Sequence, residues 1–205
     1  MRDMQDETLQ KLFSLPVDLS LIGLCPADGE DAYFCTPIGA RMIGRTGVDG
    51  IHFCDVPSTG SDVIFAVSPM SEMPYVFPVA ENLRDFLREI CACGSALAVE
   101  ELVQMEPDQA ESYLHFAGIL RTGTDEAELR QAYRYFGYFG YFGMDENLVI
   151  DTELCRRQTE ALETLADAFH LLPMDDVHAH IRSVCRGFDI TALHFSEEYN
   201  QLREL

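Results

Sequence analysis

The spacing of apolar residues changes once along this chain. Up to about residue 80 they alternate in short runs, and beyond it they recur every three or four residues. In 50–56, GIHFCDV, Ile51 and Phe53 fall on one face and His52 and Cys54 on the other, the period of a strand. In 61–68, SDVIFAVS, Val63, Phe65 and Val67 oppose Ile64 and Ala66. Both faces are apolar, which predicts a central strand covered on both sides. The segment between them, PSTG at 57–60, is short and contains Gly60, as a hairpin loop does. The run 75–79, YVFPV, predicts an edge strand or a strand end, because Pro78 cannot donate to a ladder. Two further β-like runs are AYFCT at 32–36 and the weaker RMIGR at 41–45. Turn residues separate these runs, and their order predicts an antiparallel meander.

The helical rhythm begins at Glu81. Leu83, Phe86, Leu87 and Ile90 follow the i, i+3, i+4, i+7 rule of an amphipathic helix, and Gly94 suits a left-handed cap. A second helix is expected over 96–105. A third starts at Pro107, well placed in a first turn, and runs to about Gly118. Thr124 is the expected N-cap of a fourth, carried inward by Leu129, Tyr133 and Phe136. Asp151 is the expected cap of a long fifth, with Leu154, Leu162, Leu165, Phe169 and Leu172 on one stripe before Pro173. A sixth follows Asp175, with Val177, Ile181, Val184, Cys185 and Phe188 inward. A short helix over 8–16 precedes the strands. Strands before helices, without βαβ alternation, predict an α+β fold: an antiparallel sheet within 31–80 and a helical C-terminal region.

One segment fits neither period. Residues 133–147, YRYFGYFGYFGMDEN, repeat Tyr-Phe-Gly three times. Each glycine costs about 1 kcal/mol inside a helix, so the fourth helix is expected to fray at Gly137 or Gly140. Rings left exposed beyond that point would form an apolar contact patch. Tyr138, Phe139, Tyr141 and Phe142 are therefore the protein-interaction candidates, set against a reading of the repeat as packing or as a neutral insertion.

Charge narrows the partners. Lys and Arg number 14 against 35 Asp and Glu, a formal net charge of −21. Such a surface repels nucleic-acid phosphates and anionic membranes and would attract a basic protein, set against a reading of the charge as serving solubility alone. The longest apolar stretch, LSLIGLC at 19–25, is far short of the roughly 20 residues that span a bilayer. The start, MRDMQDETLQ, lacks the basic and apolar regions of a signal peptide, so the expected location is cytoplasmic. There the seven cysteines are expected as reduced, mostly buried thiols.

Candidate chemistry is sparse. His178 and His180 in DDVHAH share a face only on a strand, and the apolar stripe around them says helix. His52 and His115 stand alone. Cys91 and Cys93 have no second pair to complete a zinc site. Cys54 beside Asp55 suggests a thiol nucleophile, but nothing in the sequence designates its base. Glu100 and Glu101, adjacent on a helix, are expected to fan out on a solvated face. No P-loop, Gly-x-Gly-x-x-Gly or Gly-x-Ser-x-Gly element occurs. The residues thus assign no catalytic, cofactor or metal role. The enzyme alternative is a metal-dependent or thiol-dependent hydrolase.

The stretch from Gly50 to Ile90 resembles the SUKH superfamily, which includes a yeast cell-wall-synthesis regulator domain and bacterial immunity proteins. Gly50 to Cys54 matches its first strand and Val63 to Val67 its second. Asn82, Leu83, Asp85, Phe86 and Leu87 match the start of its helix. The resemblance extends over about 31–115. It implies an α+β unit over 1–118, with 119–205 as a helical extension packed on it. It also implies a non-enzymatic binding module, and in bacterial members one that neutralises a toxin domain by direct contact.

Overall fold

Strand pairing follows the alternation. The structure is a computed structural model and describes residues 2–138 and 151–203. β1 (Arg41–Arg45), β2 (His52–Asp55), β3 (Ile64–Val67) and β4 (Val76–Ala80) form an antiparallel sheet in the order β1-β2-β3-β4. His52 pairs with Arg45 on one side and Val67 on the other, and Val67 pairs with Val76. Pro78 lies in the edge strand β4, where its missing N–H costs no ladder bond.

Every residue of β2, β3 and β4 is buried. Ile51, Phe53, Ile64, Ala66, Phe77 and Val79 join the larger core. Cys54, Phe65, Val67 and Val76 join a second one on the opposite face. The larger core is closed by α1 (Arg2–Phe13), α2 (Leu83–Cys93), α3 (Ala96–Gln104), α4 (Pro107–Thr122), α5 (Glu126–Tyr138), α6 (Thr152–Phe169) and α7 (Val177–Gly187). The second is closed by Phe188, Leu193 and Phe195, and by Tyr199 of α8 (Glu197–Arg203). Fold class is therefore α+β, with a sheet apolar on both faces and covered on both.

Several local expectations need correction. Residues 32–36 are a turn, closed by Thr36 N–H to Tyr33 O (2.9 Å), which buries Cys35 and turns Tyr33 outward. The α5 cap is Asp125, whose carboxylate accepts from the Ala127 and Glu128 N–H groups, not Thr124. α6 ends at Phe169 with His170 left-handed, so Leu172 lies beyond it and is exposed. Leu154 is exposed as well. The expected caps at Gly94 and Asp151 and the start at Pro107 stand where the sequence put them.

Helix ends are tied by the scarce cations. Lys11 donates to Ala168 O and lies over the Phe169 ring. Arg84 reaches His170 O, and Arg88 reaches Leu172 O and Pro173 O. Arg121 donates to Cys91 O and Ala92 O at the end of α2. Lys11, Arg84 and Arg121 answer carbonyls that a helix end leaves without intrahelical partners, and Arg88 answers those of the segment that follows α6.

Strand β1 carries a register shift between Met42 and Gly44, where Leu24 and Cys25 cross it. A methyl group on Gly44 would lie 2.8 Å from Leu24 Cδ1 and 3.1 Å from Cys25 O. Gly44→Ala is expected to destabilise the fold by about 1–3 kcal/mol in urea denaturation. An unchanged midpoint would show that this crossing is loosely packed.

Candidate functional site

Of the four interaction candidates, Tyr138 is the last residue of α5, and Phe139, Tyr141 and Phe142 lie outside the described residues. The first unit of the repeat is packed. Phe136 is buried with its ring edge-on to Tyr113 (5.2 Å), and Tyr135 lies against Phe116 (4.5 Å).

The histidines divide among separate partners. His178 is buried, and its Nε2 donates to Met105 O at 3.0 Å. His180 Nε2 lies 3.5 Å from Glu89 Oε1. His115 is exposed beside Phe116. Among the described residues no three His, Cys, Asp or Glu side chains converge as metal ligands would. Cys54 is fully buried and burial pushes its thiol well up, so it stays protonated. Its neighbour Asp55 is engaged by Arg41 through both Nε and Nη2.

Two buried polar groups hold the loops at one end of the sheet. Because Arg45, His52, Val67 and Val76 stand side by side, the 46–51 and 68–75 connections leave from that same end. His52 Nδ1 lies 2.8 Å from Gly50 O, which can only accept, so Nδ1 carries the proton. Nε2 then accepts from Thr36 Oγ1 (3.0 Å), while that hydroxyl accepts from Tyr33 N–H (2.7 Å). Burial holds His52 below the ordinary imidazole range, which keeps this neutral tautomer. The Tyr33 ring stacks on His52 (5.9 Å) and lies over Gly50, leaving no room there for a side chain. Glu100 does the same for the second loop. It is buried rather than solvated, and accepts from Ser68 Oγ (2.6 Å) and Gln104 Nε2 (2.9 Å). Ser68 also donates its N–H to Tyr75 O, closing the base of the loop.

The cleft between Asp31, Tyr33, Arg45, Val48, Gly50 and His52 has a volume of about 160 Å³. That is below the roughly 300–1,000 Å³ of a small-molecule site. A larger groove, about 430 Å³, is lined by Leu9, Phe13, Pro26, Ala27, Met42 and Ile43 together with the polar Gln10 and Ser14, a set without acid–base groups.

The sequence reading missed Glu89. It is 0% exposed on α2, and neither oxygen is hydrogen-bonded to a described group. Desolvation raises its pKa well above the usual carboxylate range, the charges of Asp85 and Glu81 add to this, and Arg88 opposes it. The available signal was position: Glu89 follows Phe86 by three and precedes Cys93 by four, so it continues their buried flank.

No family model matches the chain, and no solved structure does. Similarity to a curated protein is partial. Anhydro-N-acetylmuramic acid kinase of Rippkaea orientalis (strain PCC 8801 / RF-1) is 30% identical over 88 residues. The match covers 43% of this chain, which spans only 22% of the kinase's length.

Two substitutions probe these groups. With its folded value raised above 4.5, Glu89 binds its proton more tightly in the native state, so its contribution to stability is lost as pH rises above about 4.5. Glu89→Gln should therefore melt with the parent near pH 4 and above it at pH 7, and a pH-independent difference would contradict the buried acid. Ser68→Ala takes one donor from Glu100 and should cost about 1–3 kcal/mol by urea denaturation. No loss would mean that the loop does not depend on this bond.

Proposed function

We propose that this chain is a non-enzymatic protein-interaction module that captures a basic partner, as an immunity protein does when it neutralises a toxin domain. The observation that carries this reading is the disposition of charge. Fourteen cations face 35 acids, and much of the cationic set is committed to the fold. Lys11, Arg84, Arg88 and Arg121 bind backbone carbonyls. Arg41, Arg130, Arg156 and Arg157 pair with acids of the same chain. The remaining field is strongly negative and favours rapid encounter with a basic protein. The resemblance to the SUKH superfamily supports the same reading. The expected location is cytoplasmic, and among the described residues no helix is long and apolar enough to cross a membrane.

The partial likeness to anhydro-N-acetylmuramic acid kinase favours a second reading, phosphoryl transfer to that sugar. An acidic surface disfavours an anionic nucleotide, which places this reading second.

Affinity capture from the native organism separates the two. A basic protein retained at low salt and released at high salt is the expected result. Turnover of ATP with anhydro-N-acetylmuramic acid by the purified chain, with no protein captured, would overturn the binding reading. Serine at Tyr138, Phe139, Tyr141 and Phe142 together tests the anchors expected from sequence. Lost capture with an unchanged melt supports contact, and a lowered melt places the rings in the core.

A further inference from the structure

We infer that the loop end of the sheet, formed by the 46–51 and 68–75 connections with Tyr33, is the docking surface for the basic partner. This rests on the interaction reading above and adds where contact is made. Seven large apolar side chains are exposed among the described residues, and four gather at this end: Tyr33 (45%), Val48 (47%), Met70 (75%) and Met73 (47%). Four strands spaced about 4.8 Å apart make this end about 15 Å wide, so the two loops border one surface. A grouped apolar patch of this kind marks a contact site more often than single exposed residues do.

The chemistry specifies the occupant. Glu30, Asp49 and Glu72 are exposed around the patch. Arg45, which also reaches this end, has its Nε 3.4 Å from Asp31 Oδ1, so its charge is answered locally. An apolar centre with an acidic rim fits a protein surface that presents aliphatic or aromatic side chains among Lys and Arg. A second copy of this chain would bring the same acids against themselves.

The surface is also set before any partner arrives. Tyr33 is fixed between His52 and Gly50, and the base of the second loop is pinned by Ser68 to buried Glu100. Thr46 Oγ1 donates to Val48 O (3.1 Å), and Ser71 Oγ donates to Ser68 O (2.9 Å), bracing each loop internally. Fixed loops lose little conformational entropy on binding. A tyrosine with two torsions and adaptable methionines suit anchors on such a frame.

The test is site-resolved crosslinking. Met70→p-benzoylphenylalanine and, separately, Glu163→p-benzoylphenylalanine on the exposed face of α6 are irradiated as full chains in extract of the native organism. The expected result is a crosslink at 70 and not at 163, to a protein with excess Lys and Arg identified by mass. That protein, purified, should bind V48S/M70S/M73S at least about tenfold more weakly than the parent, with an unchanged melt because all three side chains are exposed. Capture at 163 but not 70, a crosslink to a second copy, or equal binding by the triple variant would overturn this placement alone. If the parent chain captures no protein, the interaction reading falls, and this inference falls with it.

Discussion

A sheet that is apolar on both faces must be covered twice, and most of this architecture follows from that constraint. β3 sets it: Ile64 and Ala66 face one core, Phe65 and Val67 the other. Leaving either face wet would expose side chains worth about 1.5–3 kcal/mol each on burial. Helices from α1 to α7 close the first face. The second is closed by the segment after α7, where Phe188 lies edge-on to Phe65 (5.0 Å) and Phe195 stacks on Tyr199 (4.2 Å). Edges are occupied too: Cys25 pairs with Arg45 beside β1, and α7 packs on β4. With faces and edges committed, the ends of the strands remain for recognition.

Buried polar groups then decide how rigid an end can be. At the loop end, His52 and Glu100 are withdrawn from water but hydrogen-bonded, which offsets desolvation and fixes the backbone around them. Glu89 is the contrast. It is equally buried but lacks hydrogen bonds to described groups, so it remains protonated well past the usual carboxylate range. Burial raises both carboxyls above the usual carboxylate range, but only at Glu100 do hydrogen bonds, from Ser68 and Gln104, oppose the shift and order a loop.

The sheet was legible because alternation reports directly which residues share a face. The division of Ile51 and Phe53 from Cys54 in the structure is the division in the sequence. Helix starts were legible where local chemistry dictates them, as at Pro107 and Asp151. AYFCT misled because strand propensity carries no information about a partner strand, and Thr36 closes a turn there instead. Glu100 misled because two adjacent acids on a helix look solvated, although Ala96 and Val103 place the first of them on the buried side. The loop end itself was illegible: its exposed side chains come from residues 33, 48, 70 and 73, and only the strand register brings them to one end.

That the loop end is ordered in the free protein is the claim on which the rest turns, and native-state hydrogen exchange reads it directly. The amide of Ile51 donates to Val48 O (3.0 Å), that of Ser68 to Tyr75 O (2.8 Å), and that of Ser71 to Ser68 O (3.1 Å). Their exchange should be slowed well below the rate of an unstructured peptide, approaching that of the adjoining strands. Exchange at the free-peptide rate at all three would contradict the account, because the two loops would then be unfixed despite His52 and Glu100.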